Sequence, residues 1–381
     1  MGELKKVLLV TTVSGFVPQF EMNNVKILQD MGYEVHYAAN YNTPVYTDNN
    51  DRLDGTGIIR HQVDFVRSPF RIFKNIKAYR QLKKVMKCGK YDLVHCHTPM
   101  GGVIGRIAAK RAKIPYVIYT AHGFHFYKGA PLKNWICFYQ IEKVLAKITD
   151  CLITINQEDY QRASQFYLSE TGKVHLIQGV GIDSKKLLPA RNIHLKKSLG
   201  LNENQFVFMS VGELSKRKNH QIVIRAMAEV VNQHPEVVYL ISGSGTLDQS
   251  LRALIVNLKL EEHVKLLGYR TDVSDLLGIT DCFIFPSKQE GLSVAVLEAM
   301  NAACPVICSK IRGNVDLIQE KKGGWLVGVD NQLEYIYSML DLLNREDQGK
   351  SMGEFNKEYV KAYDQKHVVK EMKKIYHDLL G

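Results

Sequence analysis

The chain reads as an α/β protein made of two doubly wound parallel sheets. Two observations predict this. Short apolar runs of strand length alternate with helical stretches, and the whole pattern restarts near residue 185. KKVLLVTTV is the first strand, residues 19–31 form a helix ended by Gly32, and EVHYAAN is the next strand. DLVHCH, PYVIYTAHG, DCLITIN and KVHLIQGV follow, separated by helical stretches such as GGVIGRIAAKRA and NWICFYQIEKVLAKI. The polar segment GVGIDSKKLLPARNIHLKKSLG connects to five more strands: QFVFMSVGEL, EVVYLISGSG, HVKLLGY, DCFIFPS and PVICSK. Strands of this kind pair in parallel through right-handed crossovers, with both faces covered by helices. The expected domains are 1–185 and 186–355, with a helical tail over 356–381 packing back across them. Ligands of such sheets bind at the carboxyl ends of the strands, so two facing domains predict an interdomain cleft.

With 381 residues, 45% hydrophobic and 23% charged, the chain has the makeup of a soluble protein with two cores. No apolar run approaches the roughly 20 residues of a membrane-spanning helix. The basic start leads into a short strand with no small-residue cleavage site, unlike a signal peptide. Seven cysteines without CxxC pairs argue for a reduced, cytoplasmic protein. Residues 1–187 carry 26 Lys and Arg against 15 Asp and Glu, so the whole net charge of +11 sits in the first half. RSPFRIFKNIKAYRQLKKVMKCGKY, residues 67–91, has nine basic residues and no acid. There Ile72, Phe73, Ile76, Tyr79, Leu82, Val85 and Met86 recur at helical spacing. This is either an ordinary surface helix or a cationic face held against anionic lipid or a diphosphate, through lysines such as Lys74, Lys77, Lys83 and Lys84. No helix-turn-helix, zinc-finger or RNP signature supports nucleic-acid binding.

Two acids stand out in PSKQEGLSVAVLEAM, residues 286–300. Glu290 lies just past the strand CFIFPS beside Gly291, and Glu298 interrupts an otherwise apolar helix over 294–302. Ser293 is the expected N-cap, and free backbone N–H groups there would attract an anion. One acid for each hydroxyl-bearing ring, with an anion between them, describes a nucleotide sugar. A surface Glu290 and a salt-bridged Glu298 are the plain alternative. His95, His97, His122 and His125 cluster at neighbouring strand ends. No carboxylate is spaced with them as a ligand, and neither HExxH nor DxD is present, so no metal is expected.

The E-x7-E block closely resembles the signature of retaining glycosyltransferases with two facing Rossmann-like domains, the GT-B fold of the family 4 type. VGELSKRKNHQIVIRAMAEV, SGSG, GYRTDVSDLLGITDCFIFPS and GGWLVGVDN fall in that family's order. HCHTPMGGVIGRIAAK and YTAHGFHFY resemble its members that build bacterial exopolysaccharide and capsule. The resemblance implies that Glu290, with Gly291, Leu292 and Ser293, holds the transferred sugar, that Glu298 grips the ribose, and that Lys218 meets the donor diphosphate. Arg217 or Lys216 assists, and Gly15 brings backbone N–H groups to the same phosphates. Tyr269, Arg270 and the Gly243 turn are expected near the nucleobase. His122 matches the family's active-site histidine, and His97 and His125 are candidates on the acceptor side. Glu213 departs from the pattern, standing where many relatives have Arg; its expected part is to orient Lys218 or touch the acceptor.

The implied reaction moves a hexose or N-acetylhexosamine, N-acetylglucosamine first, from a UDP-sugar to a hydroxyl of a polyprenyl-diphosphate-linked glycan, with retention and without a metal or other cofactor. Attack on the face the diphosphate leaves, with the leaving group taking the proton, accounts for the lack of a nucleophile paired with a base. The enzyme is expected at the inner face of the plasma membrane, alongside other polysaccharide-assembly enzymes. The rival readings are a nucleotide-sugar 2-epimerase of similar architecture, separable because only it converts free donor, and a metal-dependent deacetylase built on the histidines, which chelation would silence.

Overall fold

The computed structural model describes residues 5–43, 45, 50–185 and 193–381. Residues 186–192 of the expected connecting segment lie outside these. Among the described residues there are two parallel sheets. The first joins β1 (Lys6–Val13), β2 (Glu34–Asn40), β3 (Ile59–Gln62), β4 (Leu93–Cys96), β5 (Tyr116–Ala121), β6 (Cys151–Thr154) and β7 (Lys173–Leu176) in the order β3-β2-β1-β4-β5-β6-β7. The second joins β8 (Phe206–Val211), β9 (Val237–Ser242), β10 (Val264–Gly268), β11 (Cys282–Phe285), β12 (Val306–Ser309) and β13 (Gly324–Val327) in the order β10-β9-β8-β11-β12-β13. Every neighbouring pair is parallel. The order reverses direction between β1 and β4 and again between β8 and β11, the two places where such a sheet opens a crevice for a ligand.

Two strands were missed by the sequence pattern, β3 and β13. Both lie at a sheet edge. β3, with the sequence IRHQ, has no buried residue and so lacks the apolar run that marks a covered strand. The inner strands show why the others were legible. In β9, Val237, Tyr239 and Ile241 enter one core while Val238 and Leu240 enter the core on the opposite face. A strand buried on both sides must be apolar at every position.

The chain divides into two compact units: residues 1–180 with 366–381, and residues 181–365. The divisions therefore fall at 180 and 365, not at 185 and 355. Residue 355 lies inside the helix Glu346–Tyr359, which packs within the second unit. The last helix, Gln365–Leu380, buries the stripe Val368, Met372, Ile375 and Tyr376, spaced as one helical face. Tyr376 fixes it to the first unit, because its hydroxyl lies 2.8 Å from Nδ1 of His95. His95 Nε2 is 2.8 Å from the Thr120 hydroxyl, so this fully buried imidazole has both nitrogens partnered. No helix among the described residues is long and apolar enough to cross a membrane.

Tyr376→Phe removes one of those partners and leaves a buried imidazole nitrogen unpaired, at a cost of about 1–3 kcal/mol. A lower urea midpoint with an unchanged denaturant slope is expected. An unchanged midpoint would show that the last helix is held by its apolar stripe alone.

Candidate active site

In the second unit, the loops that follow β8 and β11 are tied together. Lys288 N donates to Arg217 O at 2.8 Å, and Arg217 Nη1 donates to Gln289 O at 3.0 Å. The knot is ionic. Oε1 of Glu290 lies 2.6 Å from Arg217 Nη1 and 2.9 Å from Lys218 Nζ. Glu290 and Lys218 each expose only 12% of their side chains, whereas Arg217 exposes 44%. The Lys218 ammonium also sits 4.4 Å from the centre of the Phe285 ring, a cation–π contact at the end of β11. Burial lowers the Lys218 pKa, against the pull of Glu290 that favours its charge. The exposed Glu213 adds to that pull at longer range.

Backbone shape permits this crowding. Gly243 has a φ of +156°, and a Cβ there would stand 1.9 Å from Gly212 O; one on Gly245 would stand 2.4 Å from Leu214 O. Only glycine lets the end of β9 close on the loop after β8. Ser293 caps the helix Val294–Asn301, its hydroxyl accepting from Val296 N at 3.4 Å. Glu298 is half-buried on that helix, and burial raises its pKa to about 7. Arg270 is engaged by Asp272 through two hydrogen bonds of 2.8 and 2.5 Å, and Tyr269 beside it is 73% exposed.

The first unit gathers a different set at the ends of β4 and β5. His97 Nδ1 is 3.1 Å from His122 Nε2, and Oε1 of Glu21 is 3.5 Å from each of those atoms. Asn24 donates to Oε2 of Glu21 at 2.5 Å, and His95 packs on His97 with ring centres 4.1 Å apart. Thr98, next along, holds a φ of +61°, strained for a β-branched residue. It is kept there by Thr12, whose N–H and hydroxyl lie 3.0 and 2.8 Å from its Oγ1. Burial raises the Glu21 pKa to about 8 and lowers that of His122 to about 4. Burial thus disfavours charge on the carboxyl and on the imidazoles of His97 and His122 alike.

Sequence reasoning missed Glu21. The expectation of no metal rested on the lack of a carboxylate spaced with the histidines, and the fold supplies one from 76 residues before His97. Among the described residues, Glu21, His97 and His122 are the set able to offer three ligand atoms within 4.8 Å of one another. In the sequence Glu21 and Asn24 fall at helical spacing from Val17, Val25 and Leu28, but the helix expected over 19–31 is broken at Glu21, which joins Phe16–Phe20 to Met22–Asp30. Gly15 precedes the helix Phe16–Phe20 with a φ of −72°, so its turn uses no conformation reserved to glycine. Of the four surface lysines, Lys77 is paired with Asp64 at 2.7 Å. Lys74 and Lys84 are exposed, and Lys83 lies over the Tyr79 ring at 5.8 Å. His125 packs against Phe138, with ring centres 4.9 Å apart and the planes tilted by 40°.

Residues 6–156 match the sequence model of the Glycosyl transferase 4-like family, and residues 192–359 match Glycosyl transferases group 1. A putative glycosyltransferase of Bacillus subtilis, EpsD, is 34% identical over 98% of this chain and 96% of its own length. A UDP-Gal:alpha-D-GlcNAc-diphosphoundecaprenol alpha-1,3-galactosyltransferase of Escherichia coli is 29% identical over 99% of this chain and 97% of its own. Among solved structures, Anabaena HepE in complex with UDP and glucose aligns with a TM-score of 0.79 and 19% identity, over 98% of this chain and all of that one. The chain belongs to this family of glycosyltransferases, with the two Rossmann-like domains of the GT-B fold.

The proton on Glu21 makes stability depend on pH. Its folded pKa of about 8 exceeds the ordinary 4.5, so the folded state keeps a proton that the unfolded chain releases. That contribution is complete below 4.5 and lost as pH rises toward about 8. His122, with a folded pKa of about 4 against 6.5, acts oppositely and only below 6.5. Between pH 6.5 and about 8, wild-type melting temperature should therefore fall relative to Glu21→Gln. Parallel profiles would mean that Glu21 is already ionised in the fold.

Proposed function

We propose that the chain is a retaining transferase moving a hexose or N-acetylhexosamine from a UDP-sugar to a hydroxyl of a polyprenyl-diphosphate-linked glycan in exopolysaccharide or capsule synthesis. The observation that carries this reading is the Glu290 carboxylate held by both Lys218 and Arg217 at the sheet reversal. Two cations brought to one carboxylate are what a diphosphate requires. When the donor enters, its phosphates take Lys218 and Arg217, and Glu290 turns to accept hydrogen bonds from sugar hydroxyls beside Gly291, Leu292 and Ser293. Lys218 then stabilises the charge that grows on the departing diphosphate. No metal is needed for that charge. Glu298 accepts from the ribose, and the exposed Tyr269 takes the base.

Glu290 is tied by two cations, which suits it to binding and not to covalent attack. Retention then follows from attack on the face the diphosphate leaves, the phosphate oxygen taking the proton. In the first unit His122, kept neutral by burial, hydrogen-bonds the reacting groups. The Escherichia coli relative names a UDP-sugar donor and a diphosphoundecaprenol acceptor, which supports the substrate class and puts UDP-galactose beside UDP-N-acetylglucosamine as a donor to test. Both family models are of glycosyl transferases, so the epimerase and deacetylase readings are not favoured.

An acceptor of this class would bring the enzyme to a membrane surface. In the helix Ile72–Gly89 only Ala78, Leu82 and Met86 are buried; the expected apolar face turns outward at its start. Phe70 and Phe73 are 87% and 89% exposed among Arg67, Arg71 and Lys74. Bulky apolar side chains among cations suit the interface of an anionic leaflet, with each cation contributing about 1 kcal/mol.

Glu290→Gln should nearly abolish transfer while leaving the fold intact, and Lys218→Ala should weaken UDP binding measured by calorimetry. Unchanged UDP affinity would remove Lys218 from the phosphates, and turnover lost on chelation would put a cation into the reaction. Neutralising Lys74, Lys83 and Lys84 together should weaken sedimentation with phosphatidylglycerol vesicles by about a hundredfold. Equal sedimentation would make this an ordinary surface helix.

A further inference from the structure

The first unit contains a pocket of about 390 Å³ that no step above uses. One wall is the start of the helix Ile72–Gly89, with Ile76 and Tyr79; the second is the helix Pro99–Ala112, with Val103 and Ile107. The third comes from residues 132–146, where Phe138 lies in a π-helical turn, Trp135–Tyr139, and Ile141 follows it. Nearly all of this lining is apolar. The acid on it, Glu142, is neutralised from behind by Arg106 at 2.7 Å, whose guanidinium stacks 4.0 Å from the Tyr119 ring centre. A pocket of this size and polarity excludes a sugar or a phosphate, whose hydroxyls and charges would find no partners.

Its position supplies what the lining does not. On one wall Gly123 to Phe126 follow His122 directly in the chain, and Pro99 and Met100 follow His97 and Thr98, so the pocket borders the histidine cluster. On another wall Pro69, Ile72, Asn75, Ile76 and Tyr79 belong to residues 67–91, with nine cations and no acid. A lipid-linked acceptor presents hydrocarbon, diphosphate and sugar hydroxyl, and the apolar lining, the neighbouring cations and the bordering histidines offer a partner to each. The geometry points to this pocket as the seat of the isoprenoid units nearest the diphosphate of the acceptor, an inference that rests on the acceptor class proposed above. Lipid recognition here goes beyond adsorption. The pocket measures the chain, while Phe70 and Phe73 on the outer surface hold the bilayer.

Ile76, Ile107 and Ile141 are 42%, 37% and 41% exposed, so they can be changed without opening the core. Ile107→Trp fills the pocket and Ile141→Asp places a charge in it. Binding of farnesyl diphosphate, measured by calorimetry on the full chain, should weaken about tenfold in either variant, the loss of about two buried methylenes. Inorganic diphosphate should bind wild type and variants alike, and sedimentation with phosphatidylglycerol vesicles should be retained. In transfer assays the KM for a long polyprenyl-diphosphate acceptor should rise by the same factor, with kcat and the KM for a short-alkyl acceptor unchanged. The inference is overturned if wild type binds farnesyl diphosphate no better than inorganic diphosphate, or if both variants bind it like wild type. It is equally overturned if vesicle binding falls in step, which would make the pocket part of the membrane-inserted face. Failure of wild type to transfer to any lipid-linked acceptor counts against the proposed function, and the farnesyl diphosphate measurement still decides the pocket.

Discussion

A parallel sheet covered on both faces can be polar only at its ends, and this constraint organises the whole molecule. The strand residues of β1, β4, β8 and β11 are almost all buried, and helices cover them from both sides. Backbone hydrogen bonds are used up within the ladders. Polar side chains, free N–H groups and conformational strain are therefore displaced to the loops at the carboxyl ends. Where the strand order reverses, adjacent loops diverge and leave room. Glu290 and Lys218 occur at one reversal, and His97 with Thr98 at the other.

The two ends answer the same problem of burying polar groups in opposite ways. In the second unit, charge is kept. Lys218 and Glu290 are largely out of water but 2.9 Å apart, and Arg217, 2.6 Å from the same carboxylate oxygen, would keep Glu290 paired if Lys218 were lost. In the first unit, charge is discarded. Glu21 has Asn24 and two imidazoles beside it, and burial pushes its pKa up and that of His122 down. A cavity of about 20 Å³, lined by Glu21, His122 and Thr120 together with Val368 and Met372 of the last helix, adjoins this cluster and is large enough for one water. A neutral, hydrogen-bonding end suits a hydroxyl, as an ionic end suits a diphosphate.

The inner strands were visible because both faces demand apolar residues, and exposed β3 escaped notice; β13 escaped it too, although Gly324, Trp325 and Val327 are buried. Glu290 was visible because it follows a strand end beside a glycine, Glu298 because it interrupts an apolar run, and Ser293 because a cap has a local signature. Glu21 was harder. It falls at helical spacing from apolar residues, yet its significance depends on histidines two strands away. The pocket was hidden for the same reason: Ile76, Ile107 and Ile141 each look like ordinary positions of an amphipathic helix, and nothing local tells that they share one concavity. Lys77 illustrates the converse, since its charge was evident while its pairing with Asp64 was not.

By itself, then, the sequence determined what is written in periodicity and short spacing: two doubly wound sheets, the acids and lysine at the strand ends, and the basic stretch that begins the third helical region. These are local properties, set by the pitch of a helix, the alternation of a strand and the geometry of a cap. The tertiary structure alone decided partnerships between distant segments. It brought Glu21 to His97 and His122, set Arg217 and Lys218 on one carboxylate oxygen, moved the final helix onto the first unit through Tyr376, and turned three apolar helical faces into one pocket. Such pairings depend on where a crossover returns the chain, and that is fixed by the packing of whole sheets and helices, which no short window of residues contains.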